Sequence, residues 1–211
     1  MKRYSFDLDA YQAESLFQII RTKRDVLHLL MNAAKIMLLP PQKLPGAAAK
    51  LHLHVAKMNR IMVVGDKKIF SVNFPFSAIE DEDGSLRFST VEHSDIGSKV
   101  TSQIISLIDG AFSPDCREVL SFAEPILDIS DSDEQFWSLF RTLMSFEEGY
   151  IRYDHDEKNK NGHRHPLHHV DVFYSSGSTF KLGLRQALPL EDFSDVLDIG
   201  TDCHYLEKPK G

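Results

Sequence analysis

Only two cysteines, Cys116 and Cys203, occur in a chain of 211 residues. Two thiols so far apart make neither a disulfide framework nor a zinc ribbon, and they read as reduced thiols of a cytosolic protein. No window reaches the roughly 18 consecutive apolar residues that a membrane helix needs, so no membrane partner is expected. The opening "MKRYSFDLDAYQAE" acquires acids at once and has no apolar h-region, so no signal peptide is expected. Basic residues are in the minority: 24 Lys and Arg face 31 Asp and Glu, giving a net charge of -7. That balance disfavours broad nucleic-acid binding, which needs a basic surface, but it leaves room for a local basic groove. Internal repeats are lacking, and so are H-E-x-x-H, C-x-x-C and G-K-[ST] patterns.

What is present is a core. Hydrophobic residues make up 42% of the chain and 14 are phenylalanine, which argues for packing rather than disorder. Apolar residues recur at helical steps through "LFQIIRTKRDVLHLLMNAAKIMLL", and Asp7 or Asp9 can cap the start. Pro40 and Pro41 end this segment. "AAAKLHLHVAKMNRIMVVGDKK" opens as a second helix, on which His52 and His54 point about 200° apart, while its "RIMVV" reads equally as the start of a strand before "GDKK". A hairpin is expected within residues 68–91, turning at Asp83-Gly84. Three further helices are predicted: one through Val100, Ile104, Leu107 and Ile108, one at "SPDCREVLSFAEPIL", and one through Phe136, Leu139, Phe140 and Leu143.

From Tyr150 the period changes to two. "YIRYDHD", "HHVDVFYS" and "TFKLGLR" alternate as strands, a short helix follows at "LEDFSDVLD", and an edge strand is placed near "CHYLE". The expected fold is therefore α+β: a largely helical region over 1–149 with an embedded β-hairpin, then a small antiparallel sheet over 150–211, packed with the first as one compact unit.

Four of the ten histidines fall in "HRHPLHH". On a strand, His169 and Asp171 share a face at about 7 Å between Cα atoms, a spacing that suits two ligands of one ion. His165, His169 and Asp171 are the candidate metal ligands, with Asp154 or Asp156 able to add a carboxylate, and zinc, manganese or magnesium as the divalent cofactor. Without metal, His169 can act as a base oriented by Asp171, while Lys181 and Arg152 stabilise an anion. Tyr174 and His168 are candidate substrate contacts. The R-x4-H spacing from Arg164 to His169 needs a helix, and Pro166 argues against one. The residues point to a cytoplasmic hydrolase of phosphodiester or nucleotide substrates, nuclease-like in character. The alternative is a non-enzymatic binding or regulatory protein that docks a protein partner on the sheet.

Overall fold

The computed structural model describes residues 2–55, 59–111, 134–174 and 180–201. Its centre is a seven-stranded sheet, entirely antiparallel, that draws strands from both ends of the chain.

"KRYSFDL" forms β1 (Lys2–Leu8) because Phe6 and Leu8 alternate into the core. Asp9 then caps α1 (Ala10–Leu16): its carboxylate accepts from the Gln12 amide at 2.8 Å, and the Gln12 side chain accepts from the Asp9 amide at 3.1 Å. A second capping box, Thr22 with Asp25, opens α2 (Lys23–Met37). Thr22 needs an extended backbone to cap, and this divides the single helix expected from the apolar spacing into two.

β2 (Ala49–Val55), β3 (Arg60–Val64) and β4 (Lys68–Asn73) follow as a meander. The small hairpin of β5 (Ser77–Glu80) and β6 (Leu86–Ser89) turns through Gly84 at φ +83°. Next come α3 (Ser98–Ala111) and α4 (Glu134–Ser145). Strands β7 (Ile151–His155), β8 (His168–Val172) and β9 (Phe180–Leu184) extend the sheet, and α5 (Leu190–Asp195) closes the described chain. The strand order is β1-β2-β3-β4-β7-β8-β9.

The expectation of a helical N-terminal two-thirds is overturned. Asp7 and Leu8, expected at the start of the first helix, close β1; residues 49–55 are a strand rather than a second helix, and "RIMVV", which the sequence leaves open between helix and strand, is β3. Leu51 and Leu53 face the core while His52 and His54 face the other way, a period of two. Pairing with β1 on one side and β3 on the other outweighs the helix preference of the surrounding alanines and lysines. The sheet also crosses residue 149, because β4 pairs with β7. The helix expected at 113–127 and the strand near "CHYLE" lie outside the described residues, as do both cysteines.

Helices α1 to α4 pack on one face of the sheet, joining Leu27, Leu30, Ile104, Leu107, Phe136 and Phe140 to Phe6, Leu51, Val63, Phe70 and Val72. On the other face Phe193 of α5 seals a smaller cluster with Met62, Ile69, Tyr153 and Val170. Among the described residues, no helix is long and apolar enough to cross a membrane.

Candidate functional site

The helix-covered face changes character between β4 and β7. Phe70, a core ring, is the ladder partner of Arg152. Beyond that point two polar rows run across the sheet. Arg152 pairs with Asp171, and Asp171 with Lys181. Lys68 pairs with Asp154, Asp154 with His169, and His169 with Gly183. The antiparallel register thus stacks these side chains on one surface, each separated from the next by one strand.

Glycine at position 183 has a specific use. A Cβ there would meet the Pro166 ring at 2.9 Å, so only a bare backbone lets the loop between β7 and β8 lie over the rows. That loop brings the Pro166 carbonyl to His169, whose Nδ1–H donates to it at 3.0 Å. A carbonyl can only accept, so the proton sits on Nδ1 and the Nε2 lone pair is presented to the carboxylates. Asp154 Oδ2 lies 3.6 Å from Nε2 and Asp171 Oδ2 lies 4.0 Å away. All three residues are buried.

Arg152 holds both carboxylates. Its Nε donates to Asp154 Oδ2 and a terminal nitrogen donates to Asp171 Oδ2, each at 2.6 Å, while the other terminal nitrogen reaches the Tyr150 hydroxyl at 3.2 Å. Burial works against the guanidinium charge, but Tyr150 and Asp154 outweigh it and hold its pKa above the ordinary value. Asp171 Oδ1 is buried and accepts no hydrogen bond among the described residues. Lys181 Nζ lies 3.6 Å from that oxygen and donates to His169 Nε2 at 3.2 Å and to His165 Nδ1 at 3.4 Å.

Asp154, His169 and Asp171 form a buried group that could hold a metal ion: each offers a ligand atom, and the three atoms lie within 4.8 Å of one another. An imidazole whose far nitrogen is pinned by a carbonyl, and carboxylates steadied by an arginine, are the supports that metal ligands have. The orphaned Asp171 Oδ1 marks unused ligand capacity.

Lys181 also lines an open cleft of about 440 Å³ with His163, Arg164, Pro166, Gly183 and Arg185. Its charged lining is cationic throughout, on a chain whose net charge is -7.

The structure brings His169, Asp171, Lys181 and Arg152 together. His165 stands beside them with its ring 4.7 Å from that of His169, but its Nε2–H donates to Asp156 at 3.0 Å, and it is not in the ligand-bearing group. Hydrogen bonds from the Asn159 side chain and backbone, with His165, hold the Asp156 carboxyl well below its usual range. His168 lies on the opposite face, stacked on Tyr153 with its Nδ1 2.8 Å from the phenol. Tyr174 donates to Glu148 at 3.1 Å and packs edge-on against Tyr150 beside the main core. Asp154 was legible from parity, because in "YIRYDHD" it must share the face of Arg152. The Pro166 carbonyl contact and the meeting of Arg164 and Arg185 on one cleft left no sequence signal. No protein-family model, curated protein or solved structure matches this chain.

Proposed function

We propose that this chain is a metal-assisted hydrolase of phosphodiester or nucleotide substrates, with Asp154, His169 and Asp171 as metal ligands and the adjoining basic cleft as the phosphate seat. One observation carries the reading: Lys181 touches the ligand group and lines the cationic cleft at once. One imidazole with two carboxylates suits zinc or manganese better than magnesium, which prefers oxygen and retained water. A divalent ion held by these three residues would supply Lewis-acid polarisation of a phosphoryl oxygen and acidify a water. Arg152 fixes both carboxylates, and the Pro166 carbonyl fixes the imidazole. Lys181, on its flexible stem, is available to a phosphate oxygen once a metal occupies the His169 lone pair. Arg164 and Arg185 add bidentate donors for phosphate.

The test is hydrolysis of bis(p-nitrophenyl) phosphate and of single- and double-stranded oligonucleotides with zinc, manganese or magnesium. Turnover should vanish on chelation. Asp171→Asn should cost on the order of a hundredfold or more in kcat/KM, as loss of a metal ligand does, and Lys181→Ala should raise KM more than it lowers kcat. Absence of turnover with all three metals, or turnover indifferent to Asp171→Asn, overturns the proposal.

The partner-docking alternative is favoured by one feature. Among the described residues β9 is one of the sheet's two edge strands, with Phe180 and Leu182 exposed, a template for strand addition. It predicts binding of a protein partner without turnover.

A further inference from the structure

On the sheet face opposite the Asp154/His169/Asp171 group, β2 turns His52 and His54 to the same side. Their ring centres lie 6.4 Å apart, with the planes at 77°. His52 is 5% exposed and His54 4%. His52 Nδ1 lies 2.8 Å from the Ser5 hydroxyl, yet neither Nε2 has a hydrogen-bond partner among the described residues, and both atoms are buried. A buried nitrogen left without a partner costs about 1–3 kcal/mol, and two side by side are not explained by packing.

Three neighbours define the chemistry. Met62 is the partner of His52 across the β2–β3 ladder and is 1% exposed, so a thioether stands on the same wall. Its sulfur accepts from the Ser194 hydroxyl at 3.6 Å. Arg3 and Arg60 are the partners of His54 on the two adjacent strands. Arg3 acts on both rings, Asp198 and Asp7 offset part of its charge at His54 and His52, and the Arg60 guanidinium is turned to Ser71, Asn73 and Gly149. A large anion would need a cavity, whereas both Nε2 atoms are enclosed. An ion flanked by two imidazoles at metal–nitrogen lengths of about 2.0 Å separates their ring centres by about 6 Å.

We propose that His52 and His54 form a second metal site, selective for cuprous copper, with Met62 as an available third ligand. Imidazole and thioether are the donors that soft, low-coordinate copper accepts, and a neutral ligand set adds only one unit of charge to this wall. Zinc requires further, usually anionic, ligands. Ser5 is a positioning residue: in the tautomer whose Nδ1–H donates to its hydroxyl, the lone pair of His52 is left on Nε2.

The test is an anaerobic cuprous titration against the chromophoric chelator bicinchoninate. It is run on a Cys116→Ser/Cys203→Ser background, which removes the chain's competing thiols. One equivalent should be taken up, and equally when Asp171→Asn is added, which separates this site from the first. His54→Leu should abolish uptake, and Ser5→Ala should weaken it at least tenfold. Copper-edge X-ray absorption of the background protein, which needs no histidine variant, should show two nitrogen neighbours in the first shell. The proposal fails if no copper is retained, if folded His54→Leu keeps its equivalent, if the first shell is oxygen, or if phosphate rather than copper stabilises the protein through these residues.

Discussion

Arg152 neutralises two buried carboxylates at once, and its loss would leave them to longer lysine contacts, Lys68 Nζ at 3.9 Å from Asp154 and Lys181 Nζ at 3.6 Å from Asp171. Arg152→Ala should lower stability by about 3 kcal/mol, the low end for breaking a buried pair, because the guanidinium is itself 26% exposed. Urea unfolding measures this. Zinc should restore more stability to Arg152→Ala than to the unaltered protein, since a cation takes the guanidinium's place; equal stabilisation of the two would remove Asp154 and Asp171 from the ligand set. Tyr174, proposed from sequence as a substrate contact, has a different setting. Burial, then the Glu148 carboxylate, pushes its phenol up to about 12. A phenol raised above its ordinary value near 10 loses its proton first in the unfolded chain. Its contribution to stability is therefore complete below pH 10 and declines as pH rises from 10 to 12. Tyr174→Phe should flatten that alkaline decline in thermal melts while leaving turnover at neutral pH unchanged.

The hairpin of β8 and β9 works with the loop before it. Gly183 admits Pro166, and Pro166 aims His169. Gly183→Val should lift the loop and cost on the order of tenfold to a hundredfold in kcat/KM, the scale of a displacement near 1 Å. A wild-type rate in that variant would show that the carbonyl contact is dispensable. The same hairpin shows what sequence parity can deliver. Strict alternation in "HHVDV" and "TFKLGL" separates the face of His169, Asp171 and Lys181 from that of His168, because a strand has two sides and a fixed period. Residues 49–55 show the opposite case. Alanine and lysine around "LHLHV" carry a local helix signal, and only pairing with β1 and β3, contacts that composition does not encode, resolves it as strand. β1 was lost similarly: its seven residues run directly into a capping box, so one strong helix start concealed the strand before it.

Across the whole molecule, β4 and β7 join residues that lie on opposite sides of position 149 in one ladder. Unfolding should therefore be a single transition, with far-ultraviolet dichroism and aromatic fluorescence coinciding; separate midpoints would mean that the two segments fold independently. Charge is distributed as unevenly as strand order. A chain at -7 that binds single-stranded nucleic acid through Arg164, Lys181 and Arg185 alone should show a plot of log affinity against log salt with a slope of about -2, the expectation for three phosphate contacts. Arg164→Gln with Arg185→Gln should reduce that slope to below -1 in magnitude, as measured by fluorescence anisotropy.

The pairing of Phe70 with Arg152 sets the last core ring directly against the first charged group of the site. Neighbouring strands stand about 4.8 Å apart, so no buffer layer separates the apolar core from the charged groups. Substitutions that enlarge or shrink the ring will be transmitted to the guanidinium and through it to both carboxylates. Thermal tolerance and ion affinity should therefore drift together in any lineage of this protein, and selection on one will leave its trace in the other.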